Sequence, residues 1–162
     1  MTLKKQGDDD NMDAVDGKIL KILSENAAAT ATEIGEAVNL SIPAVNKRIL
    51  KLRECGIIRS YTILTDEKKV GKSICAFILL AVRYGEGIDV LQRYVNEDAD
   101  VLECYAVTGD YDYLIKICAE SIEVLEEKLL FMKKQKGVMK SHTMFSLREH
   151  KMSATVLPNF TE

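Results

Sequence analysis

The stretch that decides the fold is Thr30–Gly56, TATEIGEAVNLSIPAVNKRILKLRECG. Thr30 followed three places later by Glu33 has the form of a capping box, which opens a helix by satisfying two orphan backbone N–H groups reciprocally. Ile34 and Val38 supply a short apolar face that stops at Asn39, a residue that tolerates the left-handed conformation. Another start follows at once. Ser41 is placed to cap, Pro43 suits a first helical turn, and Val45, Ile49 and Leu52 repeat at i, i+4 and i+7 until Gly56. Two short helices across a tight turn, the second basic on the face away from its apolar stripe, meet the physical needs of a helix-turn-helix.

Upstream, Val15, Ile19, Ile22 and Leu23 have helical spacing, with Asp13 as N-cap and Asp16 in the first turn, where carboxylates complement the helix dipole. This predicts a helix over residues 14 to 25. Downstream, Ile57–Leu64, IIRSYTIL, is β-branched and aromatic and reads as a wing or strand. Asp66–Lys72 is polar and breaks the pattern, as a hinge between domains does.

The net charge of −3 hides an uneven arrangement. Ser41–Ser60 carries Lys47, Arg48, Lys51, Arg53 and Arg59 against Glu54 alone, whereas the chain from Ser73 to Lys151 is acidic on balance. A basic patch on an acidic protein touches phosphates without coating the whole molecule in nucleic acid. Asn46, Lys47 and Lys51 face out from the third helix, Asn suited to adenine and Lys to guanine or phosphate. The competing reading is a three-helix bundle whose charges merely solvate it.

The second half alternates strand and helix. ICAFILLAV (Ile74–Val82) is continuously apolar; Ile88, Leu91 and Val95 are helically spaced; Val101–Thr108 and Tyr113–Ala119 read as strands; Ile122, Leu125, Leu129 and Met132 form another stripe; Val138–Leu147 reads as a last strand. The order βαββαβ is the ferredoxin-like pattern, both helices on one face of an antiparallel sheet. A strand apolar on both sides does not leave one of them in water. A second subunit is therefore expected over the open face. The fold class is α+β: an N-terminal winged helix-turn-helix over 12–64 and a ferredoxin-like domain over 73–152, joined by a linker over 65–72, with a flexible tail over 1–11 and another over 153–162.

Cys55, Cys75, Cys104 and Cys118 lie 20, 29 and 14 positions apart, so neighbours build no CxxC motif. Three sit in apolar strand-like runs, and buried reduced thiols are the expectation. No metal or cofactor is called for. No apolar run approaches the roughly 18 residues of a membrane span, and MTLKKQGDDDN lacks a secretory signal's apolar stretch. A cytoplasmic protein is expected.

Several of these segments together resemble the Lrp/AsnC (feast/famine) transcription regulators. The carriers are Met12-Asp13-Ala14-Val15-Asp16 with Ile19-Leu20 and Leu23; Leu40 to Ile49; Leu52 to Ile58; Gly71; and Val107 to Leu114, VTGDYDYL. The resemblance implies sequence-specific binding of double-stranded DNA through Ser41, Ile42, Pro43, Asn46, Lys47, Arg48 and Lys51. It also implies homodimers joined through the C-terminal sheet, assembly of these to an octamer, and an amino-acid effector held between dimers at the glycine-aspartate turn. Where the family usually has a basic residue before helix two this chain has Ala27-Ala28-Ala29-Thr30.

As bare sequence, Gly109-Asp110 between two strands predicts a two-residue hairpin turn. The same turn offers backbone N–H groups to a carboxylate, and Asp110 or Asp112 offers an acceptor to an ammonium. Gly109, Asp110, Tyr111 and Asp112 are thus the candidate effector residues, with Ser141 and Thr143 on the last strand as a second wall. Two other readings use the same modules. A siroheme-decarboxylase-like enzyme would want several His and Arg around one cavity; His142 and His150 are the only histidines, and in one strand they would stand about 26 Å apart. An effector-binding protein without DNA recognition is the other, suggested by the alanine-rich approach to helix two.

Overall fold

A computed structural model describes residues 12–83 and 88–159, so the tail read over 1–11 lies outside the described residues. The chain divides into two compact units, one holding residues up to Ile63 together with the segment from Met152, the other running from Leu64 to Lys151.

The first unit is three helices, α1 (Ala14–Glu25), α2 (Ala31–Val38) and α3 (Ile42–Glu54). Their apolar stripes meet in a core of Ile19, Leu20, Ile34, Val45 and Leu52, on which Val15, Ile22, Val38, Leu40, Ile49 and Ile58 pack. Each fully buried aliphatic side chain contributes about 1.5–3 kcal/mol relative to exposure. The expected capping box of Thr30 with Glu33 forms, and Asp13 caps α1 as expected, with Asp16 completing a second box that the sequence reading does not include. Asn39 ends α2 in the left-handed region at φ 61°. At Gly35 the chain returns so closely that a Cβ would lie 2.6 Å from the Leu40 carbonyl oxygen, which accepts no such neighbour; the Leu40 N–H donates to the Gly35 carbonyl at 2.9 Å. This contact sets the tight α2–α3 turn. Residues 57–65 form no strand. An extended segment with no neighbouring strand in the chain has nothing to complete a ladder, so the predicted wing strand is absent from the single chain.

The second unit contains β1 (Ile74–Val82), α4 (Ile88–Glu97), β2 (Val101–Ala106), β3 (Tyr113–Ala119), α5 (Ile122–Lys133) and β4 (Val138–Phe145). The sheet order is β2-β3-β1-β4, with every pairing antiparallel. Strand alternation sorts the side chains. Ala76, Ile78, Leu80, Val82, Ile115, Ile117 and Ala119 lie in the core with Leu91, Leu125 and Met132 of the helices. Cys75, Phe77 and Leu79 point the other way. Register puts Cys118, Lys116 and Leu114 beside them on one side, and Met144 and His142 opposite Phe77 and Leu79 on the other. This open face is apolar at its centre, as the two-sided hydrophobicity of β1 requires.

Three details differ from the sequence reading. β2 stops at Ala106 and β4 at Phe145, each two residues early. The β2–β3 connection is wider than a two-residue hairpin: the Val107 N–H donates to the Asp112 carbonyl at 2.9 Å, leaving four residues between them. Cys75 and Cys118, expected as free thiols, are bonded to each other, because register places them directly opposite, a relation that spacing along the chain does not reveal. Cys55 and Cys104 are free.

Candidate functional site

On α3 the buried stripe of Val45 and Leu52 fixes what faces outward. Ser41, Ile42, Pro43, Asn46, Lys47 and Lys51 are all exposed. Ser41 stands at the N-cap without a side-chain capping bond, which leaves its hydroxyl available to another partner. Leu50, missed in the sequence reading, is 52% exposed on the same outer surface. Its signal was an apolar residue off the i, i+4, i+7 stripe, at a position suited to a thymine methyl.

Arg48 is different. Its guanidinium turns back onto α1, with Nη1 2.8 Å from Asp13 Oδ2 and 2.7 Å from Asp16 Oδ1. The hydrogen bond it donates to Asp16, then that to Asp13, raises the guanidinium's affinity for its proton further. Asp13 is held below the usual carboxylate range, first by the Asp16 backbone N–H and also by Arg48. Asp16 is 5% exposed, and a buried carboxylate without a cation is costly. Arg48 is therefore occupied in joining α3 to the start of α1.

In the second unit the segment 107–112 is anchored at its ends and open between them. Asp112 donates its N–H to the Leu80 carbonyl at 2.9 Å, and its Oδ2 accepts the Val82 N–H at 2.7 Å. Asp112 thus ties the turn to the end of β1, and its carboxylate is in part spent. Gly109 has φ 117° with nothing within 4 Å of an added Cβ. Asp110 is exposed, and among the described residues the N–H groups of Gly109, Asp110 and Tyr111 meet no backbone acceptor. Beside the turn, Lys140 Nζ sits 4.8 Å above the Tyr111 ring, whose centroid is 6.5 Å from that of His142.

Ser141 and Thr143 pair with Leu80 and Ile78, residues of the helix-covered core, so they lie on the opposite face of the sheet from Lys140 and His142. They are brought near the turn along β4 but not onto the face of Tyr111. The period-2 alternation of β4 names Lys140 and His142 instead, once the side facing the helices is known.

The only cluster of metal-ligand types among the described residues is Glu67, Cys75 and Cys118, two of them already joined as a disulfide. Among the described residues no helix is long and apolar enough to cross a membrane.

Residues 12–59 match the family described as winged helix-turn-helix DNA-binding, and residues 75–156 match the Lrp/AsnC ligand binding domain. The chain is 36% identical over 148 residues to the HTH-type transcriptional regulator FL11 of Pyrococcus abyssi, covering 91% of this chain and 97% of that protein. It is 36% identical over 152 residues to the glutamate uptake regulatory protein of Zymomonas mobilis, covering 91% and 90%. Among solved structures, the transcriptional regulator NMB0573 of Neisseria meningitidis in complex with L-Met superposes with a TM-score of 0.85 at 29% identity, covering 90% of this chain and 96% of that one.

Proposed function

The chain belongs to the Lrp/AsnC family of helix-turn-helix transcription regulators, and on that premise we propose which surfaces carry its DNA recognition, its effector and its assembly. It is a DNA-binding regulator with a ligand-binding domain. The DNA reader is the outer face of α3: Asn46, Lys47, Leu50 and Lys51 approach base edges, while Ser41, Ile42 and Pro43 seat the helix start against the backbone. Arg48 acts one step removed, holding α3 against α1. The single observation supporting this most is that Asn46, Lys47 and Lys51 are exposed in a row while the neighbouring Arg48 is engaged internally.

The effector is an amino acid bound at 109–111. Its carboxylate meets the backbone N–H groups, and Asp110 accepts from its ammonium, since Asp112 is committed to Val82. Tyr111, Lys140 and His142 line the side toward β4. Methionine in the Neisseria relative supports this ligand class.

The apolar centre of the open sheet face, Phe77, Leu79, Leu114 and Met144, supports a homodimer through the sheet, with dimers assembling further to an octamer. The chain is read as a regulator working beside DNA in the cytoplasm and not as an enzyme, a reading supported by relatives that are transcriptional regulators.

The test is a fluorescence-anisotropy titration against the duplex upstream of the protein's own gene, with and without each amino acid. Saturable binding that one amino acid shifts is the expected result. Binding that no amino acid shifts removes the effector site, and enrichment of no sequence in a random-duplex selection removes the DNA reader.

A further inference from the structure

We propose that Cys75 and Cys118 form a reversible thiol–disulfide site, opened by a glutathione-type thiol or a protein dithiol, and that its state governs how the linker turn carrying Glu67 packs on the sheet. The two residues are register partners between Ile74↔Ala119 and Ala76↔Ile117. The Cys118 N–H donates outward to the Asp100 carbonyl at 3.0 Å, and the Cys75 carbonyl accepts outward from the Ser146 N–H at 2.8 Å. Their backbone bonds point away from each other, which marks a non-hydrogen-bonded pair, the kind in which facing side chains stand closest. The Cα–Cα separation is 4.2 Å. The ladder already joins these strands on both sides of the pair, so the bond is not needed to bring them together.

What the bond touches is the linker. A Glu67 carboxylate oxygen lies within 4.8 Å of both sulfurs. Its turn is held by the Lys72 N–H on the Glu67 carbonyl at 2.7 Å and by Lys72 Nζ on Asp100 Oδ1 at 3.0 Å. Asp100 is the same residue whose carbonyl receives the Cys118 N–H. Disulfide, linker turn and β2 entry therefore form one contiguous unit. A protein that regulates transcription works beside DNA, where thiol pools keep most cysteines reduced, and disulfides found there are commonly redox-sensing.

Cys118 is 2% exposed while Cys75 is only half-buried, so the reductant's thiolate attacks Cys75 Sγ. The S–S bond breaks and its electron pair leaves on Cys118 Sγ, which takes a proton from solvent. A second reductant thiolate attacks the reductant's own sulfur in the mixed disulfide, freeing Cys75 as thiolate, which is then protonated. Two reductant thiols become one disulfide, and each cysteine gains one hydrogen. Bonded sulfurs sit about 2 Å apart; unbonded heavy atoms need roughly 3.5–4 Å. With Cys118 enclosed by the sheet, the extra room is found by moving the exposed linker turn.

The experiment uses the full chain, equilibrated in glutathione buffers of graded ratio and trapped by alkylation for mass analysis. In parallel, tryptic cleavage after Lys68 and Lys69, both exposed on that turn, is followed with time. Oxidised protein should take two alkyl groups, on Cys55 and Cys104, and reduced protein four, with linker cleavage about fivefold faster when reduced. Cys118→Ser should cut at the fast rate in every buffer, and Cys104→Ser should follow the wild type. Should Cys118→Ser fail to fold, Cys75→Ser at the more open position gives the same reading. A pair that stays closed in excess dithiothreitol while the protein is folded, a pair that never closes, or equal cleavage in both states would overturn the proposal.

Discussion

The two turns that carry function are built oppositely. The α2–α3 turn is closed: Gly35 has no room for a Cβ against the Leu40 carbonyl, Asn39 is held left-handed, and backbone groups find partners within the turn. The 107–112 turn is open: a Cβ added at Gly109 would meet nothing within 4 Å, Asp110 is exposed, and the segment is held only at its ends, by Val107 and Asp112. A closed turn fixes the angle between helices and so presents side chains on a rigid element. An open turn leaves backbone donors unsatisfied in the chain alone and so presents the backbone itself to a ligand. Rigid placement suits reading DNA through side chains; exposed amides suit a small carboxylate.

The largest effect is expected where the closed turn is forced open. Gly35→Ala should cost on the order of 3 kcal/mol and abolish DNA binding, because the clash is with backbone that does not yield like a flexible side chain. Urea unfolding of the first unit's transition measures it. Equal stability with wild type would mean that the turn is not closed.

Next comes Asp112→Ala, which leaves the nearly buried Val82 N–H without its acceptor, a loss of about 1–3 kcal/mol, and frees the turn. A chemical-denaturation midpoint unchanged from wild type would show that Asp112 is no anchor. Arg48→Ala should destabilise comparably by stranding the buried Asp16, yet leave the salt slope of DNA binding as in wild type. Lys47→Ala should do the reverse, keeping stability within about 0.5 kcal/mol and lowering the slope by about 1, for the one phosphate its ammonium no longer neutralises. Adjacent cations on one helix are thereby separated by two different readouts.

The smallest effect is electrostatic. Burial is the largest single influence on Asp98 and opposes its charge, but the hydrogen bond from Lys128, the Tyr94 hydroxyl and the hydrogen bond from the Asp100 backbone N–H, with the charge of Lys128, together outweigh it and hold the carboxyl below its ordinary 3.8. The unfolded chain then takes up its proton at a higher pH than the folded one. The contribution is complete above about pH 5 and is lost as pH falls through 3.8 toward the folded value. Asp98→Asn should flatten stability against pH in that window; an unchanged pH dependence would remove the pair from the account.

Much of this was legible in the sequence because local rules govern it. The capping residues Asp13, Thr30 and Asn39 and the 3.6-residue stripes marked the helices, and the two-sided apolar run of β1 marked a sheet with an open face that wants covering. What was not legible depends on partners distant along the chain. Nothing near Arg48 announces that Asp13 and Asp16 will engage it. The commitment of Asp112 to Val82 spans 30 positions, and the pairing of Cys75 with Cys118 spans 43. The sequence alone does not say which face of β4 meets the helices, so it does not separate Ser141 and Thr143 from Lys140 and His142, which share the open face with Tyr111. The wing failed as a strand because β-propensity alone supplies no neighbour to bond with.

The most direct test measures DNA affinity with and without the amino acid that shifts wild type, for Lys47→Ala and Gly109→Ala side by side. Lys47→Ala should bind DNA more weakly but keep the wild-type ratio of shift. Gly109→Ala should bind DNA as wild type does and lose most of the shift, since a Cβ strains the positive φ that presents the amides. Weakened DNA binding in Gly109→Ala with its effector shift intact, together with wild-type affinity in Lys47→Ala at every salt concentration, would contradict the division of labour between the closed turn and the open one.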